Sequence, residues 1–232
     1  MKKLRNKIVT SISIVILLFV GTNNAFAQDI NSNKKMELGF RLMPTFTSLD
    51  VKTSSGGAVS GSVVLGFGAG VFLGYNFTNN IGVQGEIIYS SISQKSVDVN
   101  VERNINLRYI NIPILLSLNT NKSKLINLNA VAGPQIGFNV GSSLSTSGTN
   151  NGNDPKPILS VSKNDIGFAY GLGMDLGFNE NRTIRLSLGY RGVLGLLDVS
   201  DQSKTISNDS YYVLDRSHIK TNAFYLGLSI LF

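Results

Sequence analysis

Large apolar residues recur at every second position in eight stretches of this chain, at about 36–48, 62–77, 81–95, 104–119, 125–140, 164–178, 183–197 and 219–232. Period two predicts β-strand, because successive side chains of a strand point to opposite faces. The stretch that closes the sequence shows it most cleanly. Phe224, Leu226, Leu228, Ile230 and Phe232 fall on one face, and Tyr225, Gly227 and Ser229 on the other.

Sorting the other stretches by parity gives the same two-faced result. One face carries Ile166, Phe168, Tyr170, Leu172, Met174, Leu176 and Phe178, opposed by Asp165, Gly167, Ala169, Gly171, Gly173, Asp175 and Gly177. Likewise Ile184, Leu186, Leu188 and Tyr190 oppose Arg185, Ser187, Gly189 and Arg191. Connections alternate between tight turns (78–80, 120–124, 179–182) and long polar segments (about 49–61, 96–103, 141–163, 198–218). Short turns at one end and long loops at the other predict an all-β, eight-stranded, antiparallel up-and-down transmembrane β-barrel with short periplasmic turns and long extracellular loops. A small closed barrel has too little interior for these Leu, Ile and Phe side chains, so the apolar face is expected outside and the small or ionic face inside.

Placement of charge along the outward parity agrees. No charge falls at the central outward positions; Arg108 and Lys220, which share that parity, fall at the loop ends of their strands, where a charge costs about 0–1 kcal/mol instead of about 2–4 at the midplane. Outward Phe67 and Phe77, and again Phe168 and Phe178, stand ten residues apart. At a tilt near 40° that spacing spans roughly 25 Å of membrane. Phe77, Phe178 and Phe232 are therefore the expected turn-side aromatic girdle, with Phe46, Phe138, Phe168 and Phe224 at the loop side.

The start of the chain supplies an address. Lys2, Lys3, Arg5 and Lys7 precede an apolar run from Ile8 to Val20, and Ala25-Phe26-Ala27 offers a small-x-small cleavage site before Gln28. We expect residues 1–27 to be a secretory signal peptide cut between Ala27 and Gln28, with residues 28–232 as one outer-membrane barrel domain. Removing the leader takes away four cations and no acid, so the whole-chain +7 falls to about +3 and gives no argument for nucleic acid. The absence of cysteine excludes disulfides and thiolate metal sites.

Arg108-Tyr109-Ile110-Asn111-Ile112-Pro113-Ile114-Leu115-Leu116 resembles the Tyr-Leu-Glu-Ile-Pro-Leu-Leu strand of PorT-like outer-membrane β-barrel proteins. Ala132-Gly133-Pro134, Gly171 to Asp175, Gly189-Tyr190-Arg191 and the closing strand from Asn222 to Phe232 follow in that family's order. Asn111 stands where a Glu is common. The resemblance implies residence in the outer membrane of a Gram-negative cell, and for some relatives a place in a type IX protein-secretion apparatus.

Candidate chemistry is confined to the inward face and the rim. Arg41, Glu86, Asp165, Asp175, Arg185 and Arg191 share the inward parity and are expected to form a polar network plugging the bore, with an ion path or small-molecule site as the alternative. Asp175 is expected directly across from Arg185 if the turn centres on Glu180. Arg103, Arg108 and Lys220 are rim candidates for lipopolysaccharide phosphates. The single histidine, His218, reads as a solvated side chain at a loop root, and Gly66-x-Gly68-x-Gly70 lies in a strand with no helix after it to hold phosphate. Pro113 and Pro134 interrupt strands that need donors on both sides, which predicts a β-bulge at each.

The expected protein is an integral outer-membrane barrel with a side-chain-filled bore, no cofactor, no bound metal and no enzymatic activity. Its expected partners are outer-membrane lipid and lipopolysaccharide, and the barrel-assembly machinery through the C-terminal strand. An accessory role in a type IX-like secretion machinery, with secretion-apparatus proteins as partners, is the alternative, and a narrow pore stands behind it.

Overall fold

A computed structural model describes residues 34–52, 58–60, 62–98, 101–148, 156–158, 160–201, 210–212 and 216–232; the expected leader and its cleavage site at Ala27 and Gln28 lie outside them. Eight long strands build the unit Lys35–Leu231. They are β1 (Met36–Lys52), β2 (Ser62–Asn76), β3 (Ile81–Asp98), β4 (Val101–Asn119), β5 (Ile126–Gly148), β6 (Asn164–Gly177), β7 (Ile184–Gly195) and β8 (Arg216–Leu231). Each pairs antiparallel with its neighbours in sequence, and β8 returns to β1 from Glu37↔Leu231 to Lys52↔Arg216, so the sheet closes on itself. No helix occurs among the described residues. This is an all-β, eight-stranded, up-and-down closed barrel.

Alternation turns into an inside and an outside as the parity argument requires. Leu172 and Leu188 are exposed while their neighbours Gly171 and Ser187 are buried, and the same holds for Ile87 against Glu86 and Leu226 against Tyr225. Exposed large apolar residues run along all eight strands. A soluble protein does not leave so continuous an apolar belt in water, whereas a transmembrane barrel must present one to hydrocarbon.

Three turns close one end. In Phe77–Asn80 the Thr78 hydroxyl accepts from the amides of Asn80 and Ile81 at 3.1 and 3.0 Å, a local bond that fixes the reversal. In the turn after β6, the Asn179 side chain accepts from the amides of Thr183 and Ile184, and Arg182 takes a left-handed φ of 53°. That geometry makes Phe178 and Ile184 the closing pair and centres the hairpin one residue later than expected. Asp175 consequently faces Ser187, and Arg185 faces Gly177, which corrects the expected Asp175–Arg185 pairing.

At the opposite end the strands outrun the expected segments. Residues 96–103 are not a long loop, since β3 and β4 stay paired out to Asp98↔Val101. β5 likewise continues to Gly148. Short Ala58–Ser60 pairs back on Asp50–Lys52, and Lys156–Ile158 pairs in parallel with Ser210–Tyr212.

The prolines do not produce the expected bulges. Around Pro113 the ladder to β5 opens between Pro113↔Gln135 and Leu116↔Ala132 but resumes in the same register, and Pro134↔Phe168 is regular. A missing donor is absorbed by a local gap, which costs less than re-aiming a whole strand. The register shift of the β4–β5 pair lies instead between Arg108 and Tyr109. Gly133 explains how Pro134 is accommodated: a Cβ there would stand 2.1 Å from the Ile114 carbonyl oxygen, so only glycine permits this close backbone approach.

Candidate functional site

The bore is built in three layers, beginning at the turn end. Lys122, in the turn between β4 and β5, is folded into the barrel and is only 6 % exposed. Its ammonium donates to the Glu37 carboxylate of β1 and lies 3.5 Å from Asp175 Oδ2 of β6. Burial works against this charge, yet Glu37 and Asp175 hold the Lys122 ammonium above the ordinary lysine range. Arg185, fully buried, clamps the same turn by donating to the carbonyls of Lys122 at 2.9 Å and Lys124 at 3.3 Å. Asn127 donates to Asp175 Oδ2 at 2.8 Å and to Asn119 Oδ1 at 3.0 Å, and Ser229 to Glu37 Oε1 at 2.8 Å. The three turns are stitched to one another through Asn80 to the Thr120 carbonyl, Ser123 to Asn79, and Arg182 to the Ser123 carbonyl.

The middle layer gathers Arg41 (β1), Gln84 and Glu86 (β3) and Arg191 (β7). Both arginines bind the one Glu86 carboxylate, Arg191 at 3.0 Å, and Gln84 donates to it as well. Arg41 also lies over the rings of Phe72 and Tyr225, 4.1 and 4.8 Å from their centroids. Tyr225 reaches this position because two glycines face it. A Cβ on Gly173 would stand 2.0 Å from the phenol oxygen, and one on Gly189 2.6 Å away. Gly173→Ala is therefore expected to cost about 1–3 kcal/mol by overpacking. Adding Tyr225→Phe should recover part of that loss, read as the urea midpoint of the refolded barrel in vesicles.

Above this layer the bore turns apolar, which corrects the expectation of a uniformly small or ionic interior. Met43, Ile88, Ala223 and Tyr225 form one cluster, and Ile92, Ile105, Leu107, Tyr109, Val199 and Ile219 another nearer the loop end. Val199, fully buried, comes from the segment following β7, which is held by a bridge from Val161 to Ser200 and a bond from the Ser162 amide to the Val199 carbonyl. Asp165 is buried at this end, away from the other ionic residues of the bore. A cavity of about 30 Å³ between the middle and upper layers touches Thr45, Ser90, Gln135, Arg191 and Thr221. That volume suits one or two waters and no larger solute.

All six residues read as the inward network, Arg41, Glu86, Asp165, Asp175, Arg185 and Arg191, are buried in the bore. The structure brings Arg41, Glu86 and Arg191 together, joins Asp175 to Lys122, and leaves Asp165 apart. Glu37 and Lys122 were missed. Glu37 could have been found, since it shares the inward parity of Arg41; Lys122 could not, since a lysine among Asn and Ser in a turn reads as solvated.

At the rim, Arg108 and Lys220 are exposed on β4 and β8, four strands apart around the closed sheet, and Arg103 faces Ser96 and Thr146 in register. Phe77 and Phe178 are exposed at the turn end, and Phe46, Phe138, Phe168 and Phe224 toward the loop end. Phe232 follows the last paired residue, Leu231. His218 lies within β8 opposite Asp50. Among the described residues no group of three His, Cys, Asp or Glu could hold a metal ion.

A closed barrel with an apolar belt outside and an ion-paired bore defines the class: an integral β-barrel of the Gram-negative outer membrane. The chain belongs to the outer membrane protein beta-barrel domain family, whose pattern matches residues 13–232. No curated protein matches the sequence. Among solved structures it is similar to the outer membrane protein OprG from Pseudomonas aeruginosa, at 13% identity over 88% of this chain and 99% of that one, with a TM-score of 0.50. The attachment invasion locus protein Ail of Yersinia pestis matches at 13% identity, 84% and 99% coverage and a TM-score of 0.40. Neisserial surface protein A matches at 12% identity, 84% and 97% coverage and 0.43. At such identities the likeness concerns fold alone.

Proposed function

We infer that this protein is a non-conducting, non-catalytic barrel whose specific contacts are made at its loop-end surface, with outer-membrane lipid and lipopolysaccharide as the first partners. The observation that carries this reading is the bore: ion-paired and stitched at the turn end, occupied by Arg41, Glu86 and Arg191 at mid-height, and apolar and packed above. Among the described residues an interior filled in this way leaves no room for a continuous water path. Reconstitution in planar lipid bilayers tests it. The expected record is a flat baseline; reproducible unitary steps that vanish with the heat-denatured protein would overturn the reading.

The Tyr-x-x-Ile-Pro strand from Tyr109 to Pro113 supports a second reading, an accessory component of a type IX-like secretion machinery. A deletion strain that loses secretion of exported proteins, restored by the intact gene, would favour it over a stand-alone barrel. The leader belongs to the same proposal, and the mature protein is expected to begin at Gln28.

A further inference from the structure

Where the outward apolar column of β4 ends, the strand presents Arg108. Below it on the same face come Ile110, Ile112, Ile114, Leu116 and Leu118, so this guanidinium marks the height at which the hydrocarbon-facing surface stops. Its side chain lies flat against β5: a Cβ on Gly141 would stand 2.7 Å from one of its terminal nitrogens and 3.0 Å from its central carbon. The register shift between Arg108 and Tyr109 accompanies this arrangement, bringing Gly141 opposite Arg108 and Asn139 opposite Tyr109.

Among the described residues none accepts a hydrogen bond from the Arg108 guanidinium or forms an ion pair with it. The groups around it are neutral. Ser91 stands opposite on β3 and shares its hydroxyl with Asn106 Oδ1 at 3.4 Å, while the Asn106 amide donates to Ser93 at 3.2 Å. Immediately beneath, Ile110 is flanked across both ladders by exposed Tyr89 and Phe138. A donor-only cation above a shelf of two rings and an aliphatic side chain is an amphipathic surface, apolar below and anion-seeking above. Lys220 is not part of it, being four strands away on β8 and already engaged within the chain.

The geometry points to a binding site for one phosphate of an outer-leaflet glycolipid, with Arg108 as the phosphate ligand, Asn106, Ser91 and Ser93 beside the sugar, and Tyr89, Ile110 and Phe138 under the first methylenes of the acyl chains. Two observations select a lipid over a free anion: the site is continuous with the hydrocarbon-facing belt, and its apolar half would be empty under a soluble phosphate. A guanidinium suits the task because its fork matches two phosphate oxygens at once. This inference rests on the membrane residence and loop-end contacts proposed above, and it narrows them to one wall of the barrel.

The test uses the full mature protein refolded in detergent, with bound lipid counted by native mass spectrometry. The probes are lipid A carrying both phosphates, the same lipid with its phosphates removed, and inorganic phosphate as competitor. Wild type is expected to retain diphosphorylated lipid A with about tenfold higher affinity than Arg108→Gln, while Lys220→Gln stays at the wild-type level. Gly141→Ala, which lifts the guanidinium off the sheet without removing it, should also weaken binding. Heat-modifiable gel mobility shows that each variant is folded. Equal retention by wild type and Arg108→Gln, equal retention of the dephosphorylated lipid, or full displacement by millimolar inorganic phosphate would each overturn the site. None of those results would touch the barrel's membrane residence, which fails separately if the protein stays soluble and folded without detergent.

Discussion

Glu86→Ala is expected to destabilise the folded barrel by about 3–5 kcal/mol, the cost of leaving a buried ionic partner uncompensated. Arg41 and Arg191 are 6 % and 2 % exposed and both direct their guanidinium groups at this one carboxylate. Without it, two cations share the bore with only neutral acceptors in its place, among them the Gln84 oxygen, 3.5 Å from Arg41. Against a total stability of about 5–15 kcal/mol, that loss should shift the urea midpoint far enough to be seen directly in the fraction of heat-modifiable barrel. Replacing the whole group, with Arg41→Met, Glu86→Leu and Arg191→Met together, is expected to be neutral or stabilising by about 1–4 kcal/mol, because it removes the desolvation cost along with the attraction. A Glu86→Ala barrel as stable as wild type would show that the arginines find water, and that the middle layer is wetter than the structure describes.

The strands and their faces were legible from the sequence because period two survives every local irregularity. Leu186, Leu188 and Tyr190 alternate with Arg185, Ser187 and Gly189 whatever the register of the hairpin that contains them. Register was not legible where it depends on turn geometry. Arg182 in a left-handed conformation, braced by Asn179, moves every partner of β6 on β7 by two positions relative to a turn centred on Glu180. The plug was half legible. Arg41, Glu86, Asp175, Arg185 and Arg191 announce themselves by inward parity, but the cation that pairs Asp175 is Lys122, brought in by a turn whose composition says only that it is polar. Volume misled in the upper bore. Ile92, Ile105 and Leu107 sit inside, packed with Val199 toward the loop end, and Ile88 sits inside with Met43, Ala223 and Tyr225. Inward parity carries that information, since Ile88 and Ile92 share the parity of Gln84 and Glu86.

The orientation of the two faces has its sharpest consequence on β7, where neighbouring positions should respond oppositely to charge. Leu188 lies mid-strand between Met174 of β6 and Leu226 of β8, 44 % exposed on the outward face. Leu188→Arg places a guanidinium near the bilayer midplane, with no aqueous partner in reach, and is expected to cost about 2–4 kcal/mol of folding free energy in vesicles. Phe138→Arg makes the same chemical change on the same outward face but near the loop-side interface, where snorkelling reaches water and the cost should fall to about 0–1 kcal/mol. Refolding both variants into vesicles and titrating with urea gives the two differences on one scale, and the gap between them is the depth signal. Equal, small costs at both positions would mean that the apolar face meets water or protein instead of lipid. The inward arginines offer the internal contrast: Arg185, three residues away on the same strand, is tolerated because carbonyls of the turn receive it. On the outward face nothing but hydrocarbon is available to do so, and depth alone sets the energy of the substitution.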